Sequence, residues 1–462
     1  MPDFYITFLT RNDNSFTEFC TFKNMKKILL FGAGKSATVL IDYLLSNARQ
    51  SQWKLTVVDA NLQLVKDKLK DSVYGHAASF DVMDHNSRHT FIQQSDIVIS
   101  MLPPVLHREV AKDCLHFSKH LLTASYIDED LRTMAPEIKE KNLLFLCEMG
   151  LDPGIDHMSA MKLVDEINAG GGKITSFQSH CGGLVAPESD DNPWHYKISW
   201  NPRNIVLAGK AGAHYRENGE EKRINYEDLF DPSNRVMVPG IGNLSWYANR
   251  DSLSYTSLYG LEDAPTFVRT TLRHPDFMVG WKNVIRLDLT DETVQYDSTG
   301  KSLAEMFKAH FDKNKLGNWE NKNFDGENDL VLKQFSYLGM NDVNTPVNKG
   351  MCSAADIIQF AVEKNLVLRP EDKDMIVMLH ELEYTINNHS SSIRSTLVVK
   401  GEDNLHTAMA KTVGLPLGIA TKLILAGEIN LRGLHIPTSP EIYEPVLKDL
   451  EEYGICFNEE RS

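Results

Sequence analysis

After Met25-Lys26-Lys27 the chain runs through four consecutive apolar residues, Ile28–Phe31, and stops at Gly32. A short apolar run closed by glycine reads as a strand buried on both faces, as in parallel sheets. Val39, Leu40, Tyr43 and Leu44 then fall on one side of a helix. The strand pattern returns at Leu55–Val58, ending on Asp59, and again at Ile97–Met101, His120–Thr123 and Leu143–Cys147. Helical patterns near 107–118 and 130–141 separate the later runs. Such alternation predicts an α/β unit, a doubly wound parallel sheet with helices on both faces.

Beyond Cys147 the pattern changes. Pro153–Asn168 reads as a helix with Ile155, Met158, Met161, Val164 and Ile167 on one side, stopped by Gly170-Gly171-Gly172. Strand-like and loop segments rich in aromatics and glycine continue to about 275. Residues 300–365 read as mainly helical and polar, and Thr407–Gly427, apolar and rich in small residues, is expected to pack back on the body. The 462 residues exceed one hydrophobic core, so two or three domains are expected. A formal charge of -15 argues against a nucleic-acid surface. The six cysteines are dispersed without a C-x-x-C pair, which fits a reducing compartment and predicts the cytoplasm. No apolar run reaches the roughly 20 residues that cross a bilayer, so no membrane partner is expected. Residues 1–24 read as a disordered extension, with Met25 an alternative start.

Gly32-Ala33-Gly34-Lys35-Ser36-Ala37 fits G-x-G-x-x-A between a strand and a helix, the Rossmann dinucleotide pattern. Gly32 permits the tight turn, Gly34 lets backbone approach a pyrophosphate, and Ala37 keeps the helix close to the strand. The helix N-terminus offers free N–H groups to the anion. Asp59 can accept hydrogen bonds from the ribose hydroxyls of NAD and repels a 2′-phosphate, and no Arg follows in Ala60-Asn61-Leu62. NAD is therefore the expected cofactor, with NADP the alternative; the competing reading of Asp59 is a solvated turn residue. Asp81 either meets the adenine end or caps a helix.

Glu148-Met149-Gly150-Leu151-Asp152-Pro153-Gly154-Ile155-Asp156-His157 packs three carboxylates and a histidine around a strand end, where open sheets place ligands. Asp152 also suits a helix cap, and both roles are compatible. With this stretch the chain resembles the saccharopine dehydrogenase and reductase family. The likeness extends through ISMLPP at 99–104, ASYID at 124–128, HCGGLVAPESDDNPWHYKISW at 180–200, NRDS at 249–252, RTTLR at 269–273, RSTL at 394–397 and TVGLPLGIATKLIL at 412–425.

The resemblance implies NAD(P)-linked oxidation of saccharopine to L-glutamate and 2-aminoadipate 6-semialdehyde. It implies substrate contacts at Ala124, Ser125, Thr271 and Leu272, and cofactor contacts at Leu102, Gly150, Leu151, Asp152 and Trp200 beside Gly32, Ala33, Gly34, Lys35, Ser36, Asp59 and Asp81. Asp152, Tyr126 and Cys181 are its catalytic candidates, Asp152 foremost, with His157 a further possibility. Three substrate carboxylates call for guanidinium groups, and Arg250, Arg273 and Arg394 lie in matching segments. No metal is required. The implied organisation is a dinucleotide domain at 25–150 with 405–460 packed back, an α+β substrate-binding and dimerisation domain at 151–290 and 366–404, and a mainly helical domain at 291–365, the whole a homodimer. Two other readings stand beside this one. A carboxy-polyamine dehydrogenase is disfavoured by paired arginines, and a non-catalytic nucleotide sensor by an intact Asp152, Arg250 and Arg273.

Overall fold

In the computed structural model the described residues are 25–462, and the expected extension at 1–24 lies outside them. Six of the strands of the first sheet come in sequence: β1 (Lys26–Phe31), β2 (Trp53–Val58), β3 (Gly75–Ala78), β4 (Ile97–Ser100), β5 (His120–Thr123) and β6 (Leu144–Leu146). Their order is β3-β2-β1-β4-β5-β6, all parallel, so the order reverses between β1 and β4. The apolar run of β1 is consumed on both faces. Ile28 and Leu30 pack with Leu40, Ile41 and Leu44 of the helix Thr38–Asn47, while Leu29 and Phe31 pack with Val110, Ala111 and Cys114 of the helix Pro104–His116. The edge strand β3 carries Gly-His-Ala-Ala, too little apolar bulk to be read as a strand from its sequence.

A second, ten-stranded mixed sheet follows. It contains β7 (Lys173–Val185), the hairpin β8 (Ala213–Glu217) and β9 (Glu220–Ile224), the hairpin β10 (Arg235–Val238) and β11 (Gly242–Ala248), the short β12 (Arg250–Asp251), and β13 (Thr266–Arg273). β14 (Tyr296–Asp297) and β15 (Met351–Cys352) pair separately. The long hairpin β16 (Asp374–Ile386) and β17 (His389–Lys400) completes the middle of the second sheet, with β13 parallel and β16 antiparallel to β7. Helices Pro275–Arg286, Leu303–Lys313, Asn328–Tyr337 and Ala354–Asn365 enclose a further core around Trp194, Phe277, Trp281, Phe307 and Phe335.

The chain then returns to the first sheet. β18 (Gly433–His435) adds a seventh parallel strand beside β6, and β19 (Asn458–Arg461) pairs with β17. The helix Ala408–Ala426 is long and apolar enough to span a bilayer, yet here it is a core helix with 67% of its most apolar window buried. It lies against Thr38–Asn47 through two glycines. A Cβ on Gly414 would stand 2.8 Å from the Leu40 nitrogen, and one on Gly418 2.5 Å from Tyr43 Cδ1.

Candidate active site

The Gly loop follows β1 at the crevice where strand order reverses. Gly32 has φ +96°, and a Cβ there would meet the Met101 carbonyl at 2.8 Å, so glycine is required. Its N–H donates to Val58 O at 2.8 Å, closing the turn on β2. Around Gly34 the space is open, with no heavy atom within 4 Å of an added Cβ. Lys35-Ser36-Ala37 form a 3-10 turn that opens the helix; Lys35 is exposed, Ser36 half-buried and Ala37 buried. Asp59 is half-buried: its Oδ2 accepts the Ala33 N–H at 2.8 Å and its Oδ1 the Asn61 N–H at 2.9 Å. Each oxygen keeps a lone pair free, so the donor set of a dinucleotide fits here: an open Gly-loop floor, an unpaired helix N-terminus and a ribose acceptor. Lys68 comes from the next helix beneath the loop, donating to Gly34 O at 2.6 Å and Thr38 Oγ1 at 2.8 Å. Burial pushes its pKa down to about 8, against the pull of Asp42 and Asp59. Asp81 is exposed and accepts the Met83 N–H in a turn, while Asp84 caps the following helix. Leu102 is half-buried just past β4.

Across the crevice the loop 148–154 joins the sheets. Gly150 fits closely, since a Cβ would lie 3.0 Å from Ala124 Cβ. Leu151 is buried. The three carboxylates of this stretch are all spoken for. Glu148 accepts from Ile127 N at 3.1 Å and Tyr255 OH at 3.0 Å, and meets His157 Nε2 at 2.9 Å. His157 is fully buried, with Nδ1 2.5 Å from Tyr259 OH. Arg269 of β13 donates from Nη2 to Asp152 Oδ1 at 2.8 Å and to Asp156 Oδ2 at 2.6 Å. Its guanidinium also lies 4.5 Å over the Tyr255 ring. Tyr126 OH reaches Asp152 Oδ1 at 3.4 Å. Burial, then the charge of Asp156, pushes the Asp152 carboxyl up to about 6, although Arg269 pulls the other way. Burial acts upward on Asp156 too, but His157, Arg269 and the Gly154 N–H together hold it below the usual range. Two carboxylates sharing one guanidinium are thereby driven apart in acidity.

Along β13 the residues Arg269, Thr271 and Arg273 share one face of the second sheet, and register puts Cys181 beside Thr271 on that face. Arg273 is 4% exposed, with Nη1 on Leu272 O at 2.7 Å and Nε without a partner. Aromatic rings surround it, Tyr196 at 5.5 Å, Phe277 at 5.7 Å and Tyr247 at 6.0 Å, and no carboxylate pairs with it among the described residues. Trp200 Nε1 donates to Tyr196 OH at 3.0 Å, extending this wall. Arg250 is exposed, 5.0 Å over the Tyr126 ring. The Cys181 thiol is buried, which raises its pKa well above the ordinary value; the nearby charges of Asp152 and Asp156 add to the shift.

Arg394 does not join this group. It stands opposite Glu381 in the β16–β17 register, on the face that carries His180, Thr270 and the Leu272 side chain. There it pairs with Glu381 at 3.0 Å and donates to Met237 O, clamping the β10–β11 hairpin. Strand parity, invisible without register, turned it away from Arg273. Leu272 can therefore meet a ligand through its backbone only. Arg269 and Glu148 lie in segments that the sequence singles out, yet it assigns neither a role; the available signal was a charged residue in an apolar strand and three clustered acids without a nearby cation.

The fold also gathers two histidine groups that spacing along the chain concealed, His85, His89 and Asp113, and His195, His274 and Asp276. Protein partners already engage both, Arg88 on Asp113 and Asp190 on His195, each at 2.6 Å.

Residues 28–146 match the saccharopine dehydrogenase NADP binding domain, and residues 150–455 the saccharopine dehydrogenase C-terminal domain. The chain is similar to saccharopine dehydrogenase [NADP(+), L-glutamate-forming] of Saccharomyces cerevisiae, 33% identical over 94% of this chain and 99% of that protein. It is also 33% identical to alpha-aminoadipic semialdehyde synthase of Arabidopsis thaliana, over 94% of this chain, and there spans only 44% of the relative's length. Among solved structures, apo histidine-tagged saccharopine dehydrogenase (L-Glu forming) from Saccharomyces cerevisiae superposes with a TM-score of 0.83 at 31% identity, covering 95% of this chain and 100% of the other. With the Gly loop at the sheet crossover, and matches that run in order from 28 to 455, the chain belongs to the saccharopine dehydrogenase family of nicotinamide-dependent oxidoreductases.

Proposed function

We propose that the protein oxidises saccharopine with NAD, releasing L-glutamate and 2-aminoadipate 6-semialdehyde in lysine breakdown. The observation that carries this reading is Arg273, a buried guanidinium without a carboxylate partner, on the same sheet face as the Asp152–Arg269 pair. An unpaired buried cation in an aromatic wall is costly unless a ligand completes it, and a substrate carboxylate is the matching partner. The exposed Arg250 guanidinium, over the Tyr126 ring, supports a second carboxylate contact at the solvent side.

NAD bound at the Gly loop supplies the hydride acceptor. The substrate's secondary amine must be unprotonated before hydride leaves its lysine-side carbon. Asp152, its carboxyl pKa pushed up to about 6, is ionised yet more basic than an ordinary carboxylate at neutral pH, which suits it to accept that proton. Asp152, once it has released the amine proton to solvent, takes the proton of the water that adds to the resulting imine; returning it to the carbinolamine nitrogen as the hydroxyl proton departs breaks the C–N bond and frees glutamate. Arg269 and Tyr126 orient Asp152 throughout. The neutral, buried Cys181 supports a wall or donor role rather than that of a thiolate base. The free cysteines support a reducing compartment, the cytoplasm.

Asp59 supports NAD over NADP, and with it the catabolic direction, because a 2′-phosphate would face a fixed carboxylate. Lys68, a cation beside Asp59, favours the second reading, use of NADP. The experiment is saccharopine oxidation followed by reduced-nicotinamide absorbance, comparing kcat/KM for NAD and NADP in wild type and Asp59→Ala. Wild type is expected to prefer NAD, with the ratio collapsing in the variant. No turnover of saccharopine sinks the whole proposal; preference for NADP, or an unchanged ratio, sinks only its NAD part.

A further inference from the structure

Ser100 ends β4, Ser125 lies two residues past β5, and His107 stands between them in the helix Pro104–His116. The imidazole is 4% exposed and Ser100 is fully buried. His107 Nδ1 lies 2.8 Å from Ser100 Oγ, and Nε2 lies 2.7 Å from Ser125 Oγ. Both ring nitrogens are thus engaged, one on a dead-end hydroxyl inside the protein and one on a half-buried hydroxyl at the ligand edge of the sheet.

Hydrogen-bond accounting fixes the direction of this chain. Among the described residues the Ser100 hydroxyl has His107 as its one side-chain partner. If Nδ1 carried the ring proton, the buried Ser100 O–H would have no acceptor, an arrangement folded proteins avoid. Ser100 therefore donates to Nδ1, so Nε2 carries the proton and donates to Ser125 Oγ. The Ser125 oxygen then acts as acceptor on its inner side, and its own O–H is released toward the cleft beside Ala124 and Tyr126. We infer that His107, its tautomer set by Ser100, is a positioning residue that makes the Ser125 hydroxyl a donor to a substrate carboxylate. Burial supports the neutral ring this requires: it pushes the His107 pKa down to about 4, against the pull of Asp128. The identity of the carboxylate rests on the saccharopine reading; the tautomer does not.

The test uses the full chain labelled with 15N-histidine, the His107 ring signals being assigned by their loss in His107→Asn. A protonated Nε2 and an accepting Nδ1 are expected in wild type, with Ser100→Ala redistributing the proton and Ser100→Thr restoring it. In saccharopine oxidation, Ser100→Ala is expected to raise KM about tenfold with kcat and the NADH dissociation constant within twofold, the loss of one charge-assisted hydrogen bond. Ser100→Thr is expected to recover most of that KM. Ser125→Ala should give the same rise, and adding Ser100→Ala to it should give no more. A wild-type ring protonated at Nδ1 overturns the inference, as does an additive double variant. Should wild type fail to oxidise saccharopine, the proposed function falls, and the ring spectrum still decides the relay.

Discussion

Arg269→Met keeps most of the aliphatic stem and removes one guanidinium from between two buried acids. That guanidinium lies 2.8 Å from Asp152 and 2.6 Å from Asp156, with side-chain exposures of 4%, 14% and 2% respectively. The remaining nearby cation source, His157, is 3.8 Å from Asp156 and already bound to Glu148 and Tyr259. Two carboxylates this close cannot both stay ionised without a cation, so the folded variant retains a proton at neutral pH. Against an unfolded carboxyl near 3.9, holding that proton at pH 7 costs the folded variant about 4 kcal/mol, part of which wild type already bears because its Asp152 carboxyl is pushed up to about 6. The sign follows from the folded pKa lying above the unfolded one. The unfolded chain releases its proton first, so the variant's stability falls as pH rises above about 4. Guanidinium unfolding of wild type and variant at pH 5, 6.5 and 8 is the assay. Wild-type Asp152, pushed up to about 6, keeps its own proton below that pH, so the deficit is expected to hold steady up to about pH 6 and to grow by about 1.4 kcal/mol per pH unit above it, until the retained proton titrates. A deficit constant from pH 6.5 to 8 would refute the electrostatic account and leave Arg269 a packing residue.

Arg273→Ala is expected to raise the saccharopine KM by at least about thirtyfold, the equivalent of about 2–5 kcal/mol, without moving the NADH dissociation constant. Arg250→Ala, at an exposed position, should act the same way but more weakly, and Arg394→Ala should leave saccharopine kinetics unchanged; initial-rate measurements across the three variants check this ordering. Gly414→Val drives a side chain into the backbone of Leu40 and is expected to cost about 1–3 kcal/mol, read as a lowered Tm.

Local chemistry made the first sheet legible. Ile28–Phe31 and Leu55–Val58 are apolar because helices cover both faces of their sheet, and the Gly32 turn needs a positive φ whatever the rest of the chain does. A family likeness spread over 25–455 then named the cleft residues without saying how they meet. Tertiary structure decided the electrostatics of the site. The need of Asp152 and Asp156 for a cation could be read from composition, but not that Arg269, 117 and 113 residues away, supplies it. Arg273 and Arg394 look alike in sequence, and the register of β7, β13, β16 and β17 places them on opposite faces. The same holds for Ser100, His107 and Ser125, which become one hydrogen-bonded chain only when β4 and β5 lie side by side. Periodicity and turn chemistry act over a few residues and so survive in the sequence; pairing between distant charges depends on strand register, which exists only once the chain has closed on itself.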